Sequence, residues 1–172
     1  MGRLWPPPGG GMMVFLGSGP RGEGRARPMK VDSILKDKGR DVQTVGTDVS
    51  LVLAIHQLST RGIGALVVSE DGRRVNGLFS EREVVRGLAK HGARLLDLRV
   101  GDVMARSVPV CSSQDTIRDV MAEMTRSRNR HLPVVDGGAL CGLISIGDVV
   151  KHRLEELELE SSVLRDAALR HR

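Results

Sequence analysis

Side chains able to do chemistry are few in this chain, and their spacing excludes most of it. No G-x-x-x-x-G-K-[ST], H-E-x-x-H or G-x-S-x-G occurs, and no Cys/His pair stands at a metal-ligand spacing. Cys111 and Cys141 have neither a C-x-x-C partner nor a disulfide framework, and read as small hydrophobes of a reducing compartment. Gly17-Ser18-Gly19-Pro20-Arg21-Gly22 matches the dinucleotide pattern G-x-G-x-x-G and follows the strand-like run 12–16. That pattern needs a helix opening on the glycines, so that free amides meet a pyrophosphate. The residues that follow, Glu23-Gly24-Arg25-Ala26-Arg27-Pro28, show no apolar periodicity, so the match is a decoy. No catalytic set and no metal set is expected. Met121 and Met124, at helical spacing, read as core or interface.

Composition narrows the partners. The 172 residues suffice for one compact domain or two small fused ones. Trp5, Phe15 and Phe79 are the only aromatics, so the core must be aliphatic and base-stacking platforms are missing. The net charge is +5, of which residues 1–28 carry +3. The basic balance thus reflects a tail and scattered arginines, and a nucleic-acid face would need a clustered stripe. No apolar run approaches the roughly 20 residues that cross a bilayer. Residues 1–28 are rich in Gly, Pro and Arg and are expected to be disordered. They faintly resemble an organellar transit peptide, although Gly and Pro oppose an amphipathic helix. A cytoplasmic location is expected, with organellar import if the tail is native.

From Met29 onward the chain repeats itself. Ala65-Leu66-Val67-Val68 lies over Leu132-Pro133-Val134-Val135 at a spacing of 67, and Gly77-Leu78-Phe79-Ser80 over Gly142-Leu143-Ile144-Ser145 at 65. Leu51, Ala54, Ile55 and Leu58 fall on Ile117, Val120, Met121 and Met124 at 66. Each copy begins with a short strand (42–45; 108–111) and a helix with apolar residues at i, i+3, i+4 and i+7. Ser50 and Asp115 stand where they can cap those helices. A hairpin follows, turning at Glu70-Asp71-Gly72 or at Asp136-Gly137-Gly138. A second helix closes each copy, over 81–90 with Val84, Val85 and Leu88 on one face, and from 146 past 157 with Val149, Val150, Leu154 and Leu157 inward. Apolar-patterned pieces at 31–35 and 100–104 read as lead-in helices. The division is a tail over 1–28, repeat 1 over 29–94, repeat 2 over 95–158 and a helical tail over 159–172.

The predicted fold is α/β (α+β), with two βαββα repeats packed through their sheets in pseudo-two-fold symmetry. One copy of about 60 residues is marginal alone, and a pair creates a cleft between the strands where a small ligand fits.

The runs Val100-Gly101-Asp102-Val103-Met104, Arg130-His131-Leu132-Pro133-Val134-Val135-Asp136 and 142–151 resemble a CBS domain, the module named after cystathionine β-synthase. The run 62–68 through Gly77-Leu78-Phe79-Ser80-Glu81-Arg82-Glu83 resembles its partner. The likeness covers about 29–158 and is to small stand-alone CBS pairs, some labelled IMP-dehydrogenase-like. That enzyme's chemistry belongs to a barrel of about 250 residues, for which there is no room.

The resemblance implies a site at the Gly-h-h-[Ser/Thr]-x-x-Asp motif, where a helix N-terminus offers amides to phosphate. Carried over, Ser145 is the phosphate-side hydroxyl and Asp148 the ribose acceptor, with Ile146 and Gly147 between them. Ser80 and Glu83 match them in the first copy. Glu83 departs from the pattern by one methylene, so the site at Asp148 is expected to be the stronger. Thr44-Val45, Val110-Cys111, Gly64-Ala65 and Leu132-Pro133 would form the adenine slot. Arg82, Arg128, Arg130 and His131 are candidate phosphate cations, with His131 alternatively a hydrogen-bonded core histidine and Arg128 a helix-end cation.

The implied function is a non-catalytic regulatory module binding AMP, ADP, ATP or NAD(H), with AMP or NAD foremost. It would signal occupancy to a homodimer or to an unknown effector protein, with no membrane partner. Val52, Leu53, the Val84/Val85/Leu88 face and Met121/Met124 would supply the dimer surface. The amphipathic run 154–169 either clasps a second subunit or frays as a solvated tail. The alternative is a ligand-independent scaffold or a nucleic-acid-binding CBS protein.

Overall fold

The computed structural model describes residues 28–170, so the expected tail and its decoy motif lie outside the described residues. Helix α1 (Val31–Lys38) precedes β1 (Thr44–Val45), α2 (Leu51–Arg61), β2 (Ala65–Val68), β3 (Gly77–Ser80) and α3 (Glu81–His91). After a 3-10 turn at Gly92–Asp97 come α4 (Val100–Val103), α5 (Ile117–Ser127), β4 (His131–Asp136), β5 (Ala139–Ser145) and α6 (Ile146–Arg170). The strands form one sheet in the order β1-β2-β3, β1 parallel and β3 antiparallel to β2, and a second antiparallel pair β4-β5. The mixed α/β architecture of two βα-type repeats is as expected.

The two repeats match in backbone detail. Val45 pairs in parallel with Val68, and Cys111 with Val134. The expected second lead strand over 108–111 is reduced to that one bridge, and the first is shortened to Thr44–Val45. Register also corrects the alignment of the repeats. Ala65 faces Ser80, while His131 faces Ser145, so β2 lies over β4 at a spacing of 66 rather than 67. The loop bonds agree, because the Glu81 amide donates to the Gly64 carbonyl and the Ile146 amide to the Arg130 carbonyl. The register shift between Val134 and Val135 lies beyond this run and leaves Cys141 of β5 without a strand partner.

Local signals account for most boundaries. Ser50 Oγ accepts from the Leu53 amide and caps α2. In the second copy the cap is Thr116, whose Oγ1 accepts from the Asp119 amide, and not Asp115. Asp115 instead accepts from the Ser112 amide in the preceding turn. Gly137 and Gly138, both at positive φ, make the tight β4–β5 turn. The first hairpin is no tight turn, since residues 69–76 loop out. Asp71 there accepts from the Arg73 and Arg74 amides at 2.8 and 2.7 Å.

Three hydrophobic clusters hold the repeats. One joins Val31, Ile34 and Leu35 of α1 to Cys111, Ile117, Val120, Met124, Leu132, Val134, Ile144 and Val149. Another joins Val100 and Met104, in and after α4, to Val45, Leu51, Ala54, Leu58, Leu66, Val68 and Phe79. Each lead-in helix therefore packs into the core of the other repeat. The third, with Ala65, Val67, Leu78 and Val108 against Val135, Leu140 and Leu143, glues sheet to sheet. All four residues of β2 are buried, as suits a strand covered on both faces.

The long closing helix departs from expectation. Only Val149 of the four residues expected inward is buried, while Val150, Leu154 and Leu157 are exposed. The buried stripe runs Val149, His152, Glu156, in phase with the helix and one step from the apolar pattern. Its polar members are satisfied: His152 meets the Asp148 carbonyl and Asp37 at 3.0 Å each, and Glu156 takes the Met29 amide and Arg153. Met124 likewise lies in the core and cannot contribute to a dimer face.

Candidate functional site

Between the repeats lies a cleft of about 300 Å³. Its walls are Val42 and Gln43 before β1, Gly62–Ala65 entering β2, and His131, Leu143 and Ser145 of β4 and β5, with Lys38 and Asp41 from the end of α1 and beyond. The fold makes this cleft because β2 and β4 begin side by side where the sheets pack. A Cβ on Gly64 would stand 2.9 Å from the His131 ring, so a side chain at that position would drive the ring away.

The cleft brings together four of the residues named from sequence: Gly64, Ala65, His131 and Ser145. Asp148 is one step behind. Its Oδ2 accepts from the Ser145 amide at 2.7 Å, from Ser145 Oγ at 2.9 Å and from Lys38 Nζ at 2.7 Å. The Asp148 amide donates back to Ser145 Oγ. This reciprocal pair caps α6 and places a carboxylate at a helix N-terminus, where the dipole favours it. Burial raises the Asp148 carboxyl, but Lys38 and the Ser145 amide and hydroxyl outweigh that, and its pKa lies below the ordinary value of 3.8. Burial, and then the Lys38 charge, hold the His131 imidazole below its ordinary 6.5.

The other named residues do not line this cleft. Val45, Cys111 and Leu132 bury their side chains in the cores, and Pro133 is buried opposite Leu143. Thr44 and Val110 are half-buried, Ile146 packs on the second-repeat core and Gly147 sits in the first turn of α6. Arg82 lies in the first turn of α3, Arg130 is exposed, and exposed Arg128 is the left-handed C-cap of α5 at φ 54°. Ser80 Oγ donates to buried Glu83, so in the first repeat hydroxyl and carboxylate satisfy each other.

Sequence reading missed Lys38, Asp41, Val42, Gln43, Gly62, Ile63 and Leu143. Only the position of 42–43 before β1 signalled any of them, and nothing signalled Lys38, which reaches Asp148 across 110 residues of chain. Burial pushes the Cys111 thiol far up and the Cys141 thiol to about 11. Among the described residues no cluster suits a metal ion, and no helix is long and apolar enough to cross a membrane.

Two βα repeats clasped by exchanged lead-in helices, with a ligand-sized cleft at their join, define a tandem module. A family model described as CBS domain matches residues 35–90 and 100–155. The chain belongs to the CBS-domain family, whose pairs are regulatory modules. It is similar to the mitochondrial CBS domain-containing protein CBSX3 of Arabidopsis thaliana, 29% identical over 135 residues, 73% of this chain and 65% of that protein. The chain thus spans less than two thirds of that relative's length. A CBS-domain protein of Agrobacterium tumefaciens superposes at a TM-score of 0.70 with 45% identity, covering 73% of this chain and 99% of that one. The CBS pair of protein MJ0100, solved with 5′-methylthioadenosine and S-adenosylmethionine, superposes at 0.64 with 18% identity, over 72% of this chain and 98% of that one, a likeness of fold.

Proposed function

We propose that the chain is a non-catalytic regulatory module that binds an adenosine nucleotide, AMP, ADP, ATP or NAD(H), in the cleft between its repeats. The observation that carries this reading is the meeting of Ser145 and His131 of one repeat with Gly64 and Ala65 of the other around one cleft. Its volume of about 300 Å³ falls at the lower end of small-ligand sites. The apolar edges of Ile63, Ala65 and Leu143 suit a purine face. The α6 N-terminus, capped by Ser145, suits phosphate, and the Asp148 carboxylate, whose Oδ1 takes no hydrogen bond among the described residues, suits a ribose diol. MJ0100, of the same fold, is seen with adenosyl ligands.

Binding only the native state raises the melting temperature by mass action. Sub-millimolar AMP, ADP, ATP or NAD is expected to raise it, and Asp148→Ala is expected to remove most of the shift. The absence of any shift across the panel overturns the reading.

Occupancy is read by a second copy of the chain. Val52, Leu53, Val85 and Leu88 stand exposed on α2 and α3 beside an apolar groove lined by Ile55, Leu58, Val84 and Val85. Such a continuous apolar surface marks an interaction site.

A further inference from the structure

We infer that Lys38 makes the cleft selective for phosphorylated adenosine ligands over neutral nucleosides, acting as the counter-ion of Asp148 in the empty site and of the phosphate in the filled one. This inference rests on the nucleotide reading above and adds a specificity-determining residue to it.

The geometry sets the exchange. Lys38 ends α1, lines the cleft, and donates to Asp148 Oδ2 at 2.7 Å. A ribose diol that engages both oxygens of this carboxylate needs Oδ2 as well as Oδ1, and since Oδ2 already accepts two bonds from Ser145, the diol competes there with the ammonium. A hydroxyl is a neutral donor, and it replaces a charge-assisted bond with a weaker one. The exchange is favourable only if the displaced ammonium finds another anion. Lys38 is 40% exposed in its side chain and has the reach to turn toward one.

Charge in the cleft points the same way. Among the described residues Lys38 is the one Lys or Arg lining it, while Asp41 lines it too and Asp148 stands just behind. Without Lys38, a phosphate at the α6 N-terminus would have only the Ser145 hydroxyl, free amides and the His131 ring to set against the Asp41 and Asp148 carboxylates. Arg82, Arg128 and Arg130, the cations expected from sequence, are not in the lining. A phosphoryl group seated at the α6 N-terminus takes the Lys38 ammonium, and Asp148 is then released to the ribose. Adenosine and 5′-methylthioadenosine carry no phosphate and leave the ammonium unpaired.

The test is isothermal titration of the full chain with AMP, adenosine and 5′-methylthioadenosine. The variants are Lys38→Met and Lys38→Arg, each checked by thermal melting. The wild type is expected to bind AMP about tenfold or more tighter than adenosine. Lys38→Met should weaken AMP by a similar factor and leave adenosine unchanged or tighter. Lys38→Arg should keep the preference. If Lys38→Met weakens AMP and adenosine equally, or leaves AMP unaffected, the inference is overturned while the nucleotide reading stands. If the wild type binds none of the three, nor ATP or NAD in the wider panel, both are overturned.

Discussion

Asp148 is the residue on which cap, cleft and charge converge. Its carboxyl is held below 3.8 in the fold, so its contribution to stability is complete well above that value. As pH falls through the lowered folded-state value, the proton removes the bonds to Lys38 and Ser145 and the contribution is lost. Acid melting curves between about pH 5 and pH 2 should therefore fall more steeply for the wild type than for Asp148→Asn. Equal slopes would show that the carboxylate is not the group holding this corner. His131 has the same sign at higher pH: its folded-state value lies below 6.5, so stability declines as pH drops under 6.5 and the half-buried ring is made to charge. His131→Asn should flatten that part of the profile. Ser145 and Asp148 were named from the resemblance to the family motif Gly-h-h-[Ser/Thr]-x-x-Asp, and the structure joins them as the reciprocal cap of α6. Lys38 was not, because its role exists only once α1 has crossed to the other repeat.

At the scale of elements, the glycines that open the two Gly-h-h-Ser runs share one purpose. Each lets a lead-in segment lie against the strand. A Cβ on Gly77 would stand 2.5 Å from the Ala105 carbonyl oxygen, and one on Gly142 would stand 2.5 Å from a Leu35 methyl. Backbone cannot yield as a leucine end can. Gly77→Ala should cost about 2–3 kcal/mol and Gly142→Ala about 1 kcal/mol, measured by urea unfolding. A reversed order would mean that α1 is the more rigid of the two lead-ins. Periodicity placed α2, α3 and α5 well, and the Ser50 cap placed the start of α2, since those signals are local, while the cap of α5 fell one residue beyond the expected Asp115. The phase of α6 was misread because His152 and Glu156 are polar, and only their partners on α1 and at Met29 make burial of that stripe affordable. The one-residue slip between β2 and β4 arose because Ala65–Val68 matches Leu132–Val135 in apolar character, and register exists only in the pairing with β3 and β5.

On the scale of the whole molecule, the question is what covers the α2/α3 face. Leu53 and Val85 are 58% and 67% exposed there and make no part of either core. Leu53→Glu with Val85→Glu should leave the melting temperature of dilute protein nearly unchanged. In light scattering, the wild type should run as a dimer and the variant as a monomer at the same concentration. A wild type that stays monomeric at high concentration removes the homodimer. The sandwich of two sheets was legible from the internal repeat, because a single repeat cannot bury its own sheet. The surface facing outward was legible only in part, and Met124 shows why: one apolar helix supplies both core and exterior, and sequence spacing alone does not tell the two apart.

The exchange of lead-in helices carries a consequence for how the chain comes to be folded. α1 is made first, yet the core it completes, with Val149 as its last contributor, waits for the far end of the second repeat. The core completed by Val100 and Met104 likewise waits for a segment beyond the first repeat. Neither half can finish ahead of the other. Loop closure over such distances is slow relative to local helix formation, and the reward arrives all at once. Folding should accordingly be a single concerted event rather than two sequential ones, and a chain interrupted near residue 94 would leave both halves open.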